Sequence, residues 1–181
     1  MSKKFYKSQS HYENGGLMCT AASIFWVVGS LQDILSPFCS ETEMDALMKH
    51  ASHIQSFITK KNNVSLLQQH EVFSLTNVPP NIELKELGMY THTSNEYTPP
   101  KDVAIHISDI HFICPNNTGL LITGGKHTTG IVNKHHTLYW FDSLVACVVR
   151  IQNREELSHH LLNSHGHHHD YGWNITLLTK K

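Results

Sequence analysis

A thiol attacks a carbonyl as its thiolate, so a nucleophilic cysteine needs a setting that favours negative charge and a base that takes its proton. Cys19 stands in such a setting. The stretch HYENGGLMCTAAS (residues 11–23) places it where a loop turns into a helix, after two glycines and before a strongly apolar run. A helix N-terminus offers the positive end of the macrodipole and the N–H groups of its first turn, which stabilise a thiolate and can face an oxyanion. Gly15 and Gly16 have no β-carbon and would let a substrate backbone pass close by. The competing reading makes Cys19 a small hydrophobe opening a core helix, because free cysteines are often buried.

The base and its orienting acid are sought in GLLITGGKHTTGIVNKHHTLYWFDSL, residues 119–144. His127 begins one expected strand, and Asp142 closes the next, 15 positions later. With the turn at Asn133–His136, the two residues come nearly opposite each other in a hairpin, where cross-strand side chains reach hydrogen-bonding distance. Asp142 would orient the imidazole and His127 would deprotonate the thiol. Taken singly, a turn histidine and a strand-end aspartate are ordinary in a chain with 16 histidines. Taken with the cysteine they give the papain-like order Cys, His, Asp, whose members meet in space and not in sequence.

The elements that must position these residues follow from periodicity. Ile24, Val27, Val28, Leu31, Ile34 and Leu35 recur at helical spacing, so a buried helix is expected from Cys19 to about Leu35, ended by Ser36-Pro37. Ser40 and Glu43 have capping-box spacing for a second helix with Met44, Leu47, Met48 and Ala51 on its apolar face. A further helical stretch is expected over 54–75, broken near Lys61–Asn63, then a short segment IELKEL of open type and a polar loop over 90–101. The remainder reads as strands: VAIHISDIHFIC, GLLITGG, TTGIV, TLYWFDSL, ACVVRI and NITLLTK, with one helix, NREELSHHLLNS, before the last. Residues 1–18 read as an irregular lead-in. Helices first and an antiparallel sheet second define an α+β fold, with the helical part at about 19–75 and the sheet part at about 102–181 of a single domain.

Length and composition agree with one globular domain: 181 residues, 40% hydrophobic and 16% charged. The formal charge of -1 and the lack of a basic block argue against nucleic-acid or membrane partners. Cys19, Cys39, Cys114 and Cys147 form no CxxC pair, and the first residues carry no apolar signal core. Free thiols in a reducing intracellular, cytosolic compartment are therefore expected, and the sequons at Asn63, Asn116 and Asn174 read as chance. A monomer is expected, and the chain could have been cut from a larger protein.

The stretch GLLITGG–HTTGIV…TLYWFDS…ACVVRIQNREELSHHLL resembles the C-terminal half of the N-terminal protease domain of herpesvirus large tegument proteins. At the other end, Gln9, Asn14-Gly15-Gly16 and Cys19 are similar to that family's glutamine, Asn-Gly-type loop and nucleophile. The middle of the chain, about 40–100, has no counterpart. The resemblance implies a papain-like cysteine protease that removes ubiquitin or a related modifier and needs no cofactor. It implies Cys19 as nucleophile, Gln9 as oxyanion donor, Asp142 as the acid of the Phe-Asp motif, and ubiquitin or polyubiquitin as partner. Two departures stand out. Gln9 is nearer the cysteine than in the family, and Leu144 occupies the position of the family's catalytic histidine. Either the domain is inactive, or another strand supplies the imidazole; His127 is the residue placed to do so. Ubiquitin-like-specific proteases show a similar HTxx…YxFDSL stretch, but their cysteine follows the His and Asp, and here only Cys147 does.

A deubiquitinase must hold an extended Gly-Gly tail in a channel narrow enough to reject larger side chains. Gly16, Gly124, Gly125 and Trp140 are candidate walls, against the plainer reading of a hairpin turn and a core aromatic. The tract NSHGHHHDYGW (163–173) offers His165, His167, His168, His169 and Asp170 to a transition metal, but without cysteine and without the spacing of a closed zinc site. It reads as a solvated loop. The alternatives to an enzyme are thus a catalytically silent ubiquitin-binding module of the same fold and a histidine-rich metal-binding protein.

Overall fold

The computed structural model describes residues 1–13, 15, 18–62, 78–90, 113–124, 127–165 and 173–181. Its first helix, α1 (Cys19–Leu31), is apolar on nearly every face, and every residue except Phe25 is buried. It ends four residues before the expected Leu35. Asp33 takes a left-handed φ of 56°, and the N–H groups of Ile34 and Leu35 return to the carbonyl of Gly29, which closes the helix ahead of Pro37.

Helix α2 (Glu41–Asn62) opens with the expected capping box. The Ser40 N–H donates to Glu43 Oε1 at 3.0 Å, and the Glu43 N–H donates to Ser40 Oγ at 3.1 Å. Met44, Leu47, Met48 and Ala51 are buried against α1. The stretch expected as a separate helix from residue 54 continues α2 without interruption to Asn62; the rest of it, 63–75, lies outside the described residues.

Among the described residues, seven strands form one antiparallel sheet: β1 (Lys3–Phe5), β2 (Ile82–Tyr90), β3 (Thr118–Gly124), β4 (His127–Lys134), β5 (Thr137–Asp142), β6 (Cys147–Arg150) and β7 (Trp173–Lys180). Their order across the sheet is β1-β6-β5-β4-β3-β7-β2. IELKEL belongs to β2. The lead-in is less irregular than expected, because Lys3–Phe5 pairs with β6 and Gln9–His11 forms a 3-10 turn. Of VAIHISDIHFIC only Ile113 and Cys114 are described, and they precede β3 without joining a strand; residues 91–101 of the polar loop are also outside the described set.

Period-two alternation divides the core. Leu121, Val132, Phe141 and Val148 face α1 and α2, whereas Leu120, Ile131, Trp140 and Val149 pack with Leu157 and Leu161 of α3 (Arg154–His165). Helices therefore cover both faces of the sheet. Gly130 lets α1 lie directly on β4, since a β-carbon there would stand 2.8 Å from Val27 Cγ2. The β4–β5 hairpin turns on His135 and His136, both with left-handed φ (53° and 62°), as a tight two-residue turn requires.

Candidate active site

Cys19 is the first residue of α1, and the preceding Met18 provides no side-chain cap. The first-turn N–H groups have no partner within the helix itself, and the positive end of the helix lies at Cys19. Hydroxyls fix the height of α1 on β4. Thr20 Oγ1 and Thr128 Oγ1 share a hydrogen bond of 2.9 Å, and Ser23 Oγ donates to the Thr128 carbonyl at 3.1 Å. Thr128 follows His127 directly, so the same contacts that dock the helix bring Cys19 to the histidine. His127 is the neighbour that most favours the charged form of the Cys19 thiol, with smaller contributions from the Thr128 backbone and the Thr20 side chain.

Nε2 of His127 meets Asp142 Oδ1 at 2.7 Å, which leaves Nδ1 as the nitrogen for the sulfur. The register refines the hairpin expectation. Gly130 pairs with Phe141, so Asp142 stands across from Thr129 and reaches His127 on the diagonal, on the same face of the sheet. Asp142 is held from three sides: Oδ1 also accepts from the Leu144 N–H at 2.8 Å, and Oδ2 accepts from Ser164 Oγ of α3.

All three residues are buried, at 7%, 7% and 1% exposure for Cys19, His127 and Asp142. Burial alone would keep the thiol and the carboxyl neutral and strip the imidazole of its proton. For Cys19, burial raises the pKa, but the hydrogen bond and charge of His127 outweigh it and leave the thiol below its ordinary value. For His127, burial pulls the pKa down, while hydrogen bonds to Asp142 and Cys19 push it up to about 10. Burial likewise opposes ionisation of Asp142, and His127 leads the groups that hold its pKa below the usual carboxylate value. The three shifts all run in the same sense, toward thiolate, imidazolium and carboxylate.

Gln9 is buried, at 2% exposure, against Ser143, the residue after Asp142. Its N–H donates to the Ser143 carbonyl at 3.0 Å, and its Oε1 accepts from Ser143 Oγ. With the oxygen engaged, the amide nitrogen is the end of the side chain that has donors to offer. The loop returns tightly from Gln9: a β-carbon on Gly15 would lie 1.8 Å from the Gln9 carbonyl oxygen, so only glycine fits there.

Two expectations need correction. Trp140 is no channel wall. Strand alternation turns it away from α1 into the core beneath α3, where it is 2% exposed and stacks on His160 with ring centroids 4.8 Å apart. His165 belongs to no solvated loop: it ends α3, is 1% exposed, and bonds to Thr129 Oγ1 and the Gly124 carbonyl. Gly16, Gly125, His167, His168, His169 and Asp170 lie outside the described residues. Among the described residues no group of three or more His, Cys, Asp or Glu is arranged to hold a metal ion. Sequence reasoning missed Thr20, Thr128, Ser143 and Ser164. Ser143 was signalled by its place after Asp142, but Ser164 had no signal, because only the packing of α3 brings it to the carboxylate.

This chain has the α+β fold of papain-like cysteine proteases, with a cysteine opening a buried helix and a histidine–aspartate pair on the antiparallel sheet. Among solved structures it is similar to the ubiquitin-specific protease encoded by the murine cytomegalovirus tegument protein M48, crystallised in complex with a ubiquitin-based suicide substrate. That match has a TM-score of 0.65 and 14% identity and covers 100% of this chain and 88% of the other. The Pseudomonas avirulence protein AvrPphB matches with a TM-score of 0.49 and 12% identity, over 99% of this chain and 96% of its own. No protein-family model and no curated protein sequence matches the chain.

Proposed function

We propose that this chain is a cysteine isopeptidase that releases ubiquitin from conjugates by cleaving the bond after its C-terminal Gly-Gly. The observation that carries the reading is the His127–Asp142 pair, 2.7 Å apart, on the strand whose next residue, Thr128, docks the first turn of the helix that Cys19 opens. The choice of ubiquitin takes support from the fold shared with the M48 protease, crystallised with a ubiquitin-based substrate.

In this mechanism the Cys19 thiolate attacks the carbonyl carbon of the terminal glycine. Negative charge moves to the carbonyl oxygen, where the Gln9 amide and first-turn N–H groups of α1 donate to it. The His127 imidazolium gives its proton to the departing lysine amine as the C–N bond breaks, leaving a thioester. His127, now neutral, takes a proton from water; the hydroxide attacks the thioester and the Cys19 thiolate leaves. Asp142 holds the ring and its charge throughout.

Cys19→Ala is expected to abolish cleavage of a fluorogenic ubiquitin C-terminal substrate and to leave circular dichroism unchanged; undiminished turnover would end the proposal. Leu144, at the position of the tegument family's histidine, is the observation that favours a silent ubiquitin-binding module. In that case ubiquitin would bind while Cys19 failed to couple to a ubiquitin propargylamide probe.

A further inference from the structure

The C-terminal end of α3 touches the site at two consecutive residues. Ser164 Oγ donates to Asp142 Oδ2, the oxygen not used by His127. His165 stands behind His127 with ring centroids 5.7 Å apart. Its Nδ1 lies 2.9 Å from the Gly124 carbonyl, and its Nε2 lies 2.8 Å from Thr129 Oγ1. A carbonyl can only accept, so Nδ1 carries the proton, and Nε2 of a neutral ring accepts from the Thr129 hydroxyl. Gly124 pairs with His127 across β3 and β4, and Thr129 is two residues further along β4 on the same face. One ring thus ties together the backbone pair that presents His127.

We propose that Ser164 and His165 are positioning residues for the Cys19–His127–Asp142 row: Ser164 fixes the carboxylate plane, and His165 fixes the strand ends that aim the imidazole. The inference rests on the active-site reading above and deepens it. Neither residue touches the sulfur's target; both act through Asp142 and His127. Among the described residues, His127 and Asp142 are charged groups that face His165. Burial and the charge of His127 hold the His165 pKa down, at about 4, against the opposing pull of the Gly124 carbonyl and Asp142. A neutral His165 places no second positive charge beside the imidazolium, which leaves the cation on His127, next to the thiol.

The test uses the full chain and reads the ionisation of Cys19 from its rate of alkylation by iodoacetamide between about pH 4 and about pH 9, followed by mass at that residue. Cys39, Cys114 and Cys147 are buried and serve as internal references. In Ser164→Ala the midpoint is expected to rise by about one unit, because a carboxylate free to turn holds the His127 ring less firmly toward the thiol. Any ubiquitin turnover should fall about tenfold in kcat with KM unchanged, and Ser164→Thr should restore both. His165→Asn, whose amide nitrogen overlays Nδ1, is expected to keep more reactivity than His165→Phe. Should the phenylalanine variant not fold, the Ser164 pair decides. An unchanged midpoint in Ser164→Ala overturns the inference, as do equal losses in the two His165 variants. A wild-type midpoint near that of a free thiol, about 8.5, would instead overturn the active-site reading itself.

Discussion

At the scale of single residues the chemistry depends on three buried titratable groups, in which His127 favours the charged form of both Cys19 and Asp142. The raised pKa of His127 contributes stability that is full below its unfolded value, about 6.5, and runs out as the pH rises through about 10. The lowered pKa of Asp142 contributes stability that is present above its unfolded value, about 3.9, and runs out as the pH falls through its lowered native value. Both contributions are at full strength between about pH 4 and about pH 6.5. Asp142→Asn should therefore lower stability by about 3 kcal/mol in that window, as breaking a buried pair does, with the deficit shrinking toward pH 10. Thermal melting across pH checks this, and a deficit independent of pH would contradict it. The residues themselves were legible from type and spacing: Cys19 before an apolar helix, and His127 and Asp142 flanking a hairpin. Trp140 was misjudged because nothing in an aromatic strand says which face its odd and even positions serve until a helix covers each.

At the scale of elements, the site depends on how closely α1 lies on β4. Gly130 permits that approach, since Val27 Cγ2 occupies the space of a β-carbon at 2.8 Å. Gly130→Ala should push the helix outward, lower stability by about 1–3 kcal/mol, and stretch the Thr20–Thr128 contact that registers Cys19 to His127. Denaturant midpoints and Cys19 alkylation rates measured together test this; loss of stability with an unaltered alkylation rate would show that the register does not depend on the glycine. The capping box at Ser40 and Glu43 was readable because both partners are local in sequence. The true end of α1 was not, because Ile34 and Leu35 continue the helical spacing while the backbone at Asp33 has already turned left-handed. Strand β1 was missed for a related reason: KKF has no alternation of its own, and only the open edge of β6 makes it a strand.

At the scale of the molecule, the candidate site is assembled from positions far apart in the chain, and the N-terminal segment locks the assembly. Beyond β1, the Tyr6 N–H donates to the Ala146 carbonyl and the Gln9 N–H to Ser143, so the lead-in runs along β6 and then the turn that follows Asp142. The Tyr6 hydroxyl and Lys4 Nζ both donate to the Cys39 carbonyl, tying the same segment to the loop before α2. Arg150 donates its N–H to Ser2, and Tyr6 donates to Ala146; Lys4, paired with Val148 between them, occupies the alternate position whose N–H points into the ladder. Lys4→Pro should remove that bond, leave the Val148 carbonyl without its partner and unseat the edge strand, costing about 1–3 kcal/mol. Lys4→Ala, which keeps the backbone N–H and loses the side-chain contacts to the Cys39 carbonyl and the Tyr6 ring, should cost less, about 1 kcal/mol. If β1 also carries Gln9 to its place, the proline variant should lose kcat on the proposed ubiquitin substrate well beyond its loss of folded protein, because the proposed oxyanion donor shifts while Cys19, His127 and Asp142 keep their places. Alkylation of Cys19 at neutral pH reports that arrangement independently. A proline variant slowed equally in alkylation and in turnover would show that the N-terminal strand supports the whole fold and has no separate hold on Gln9.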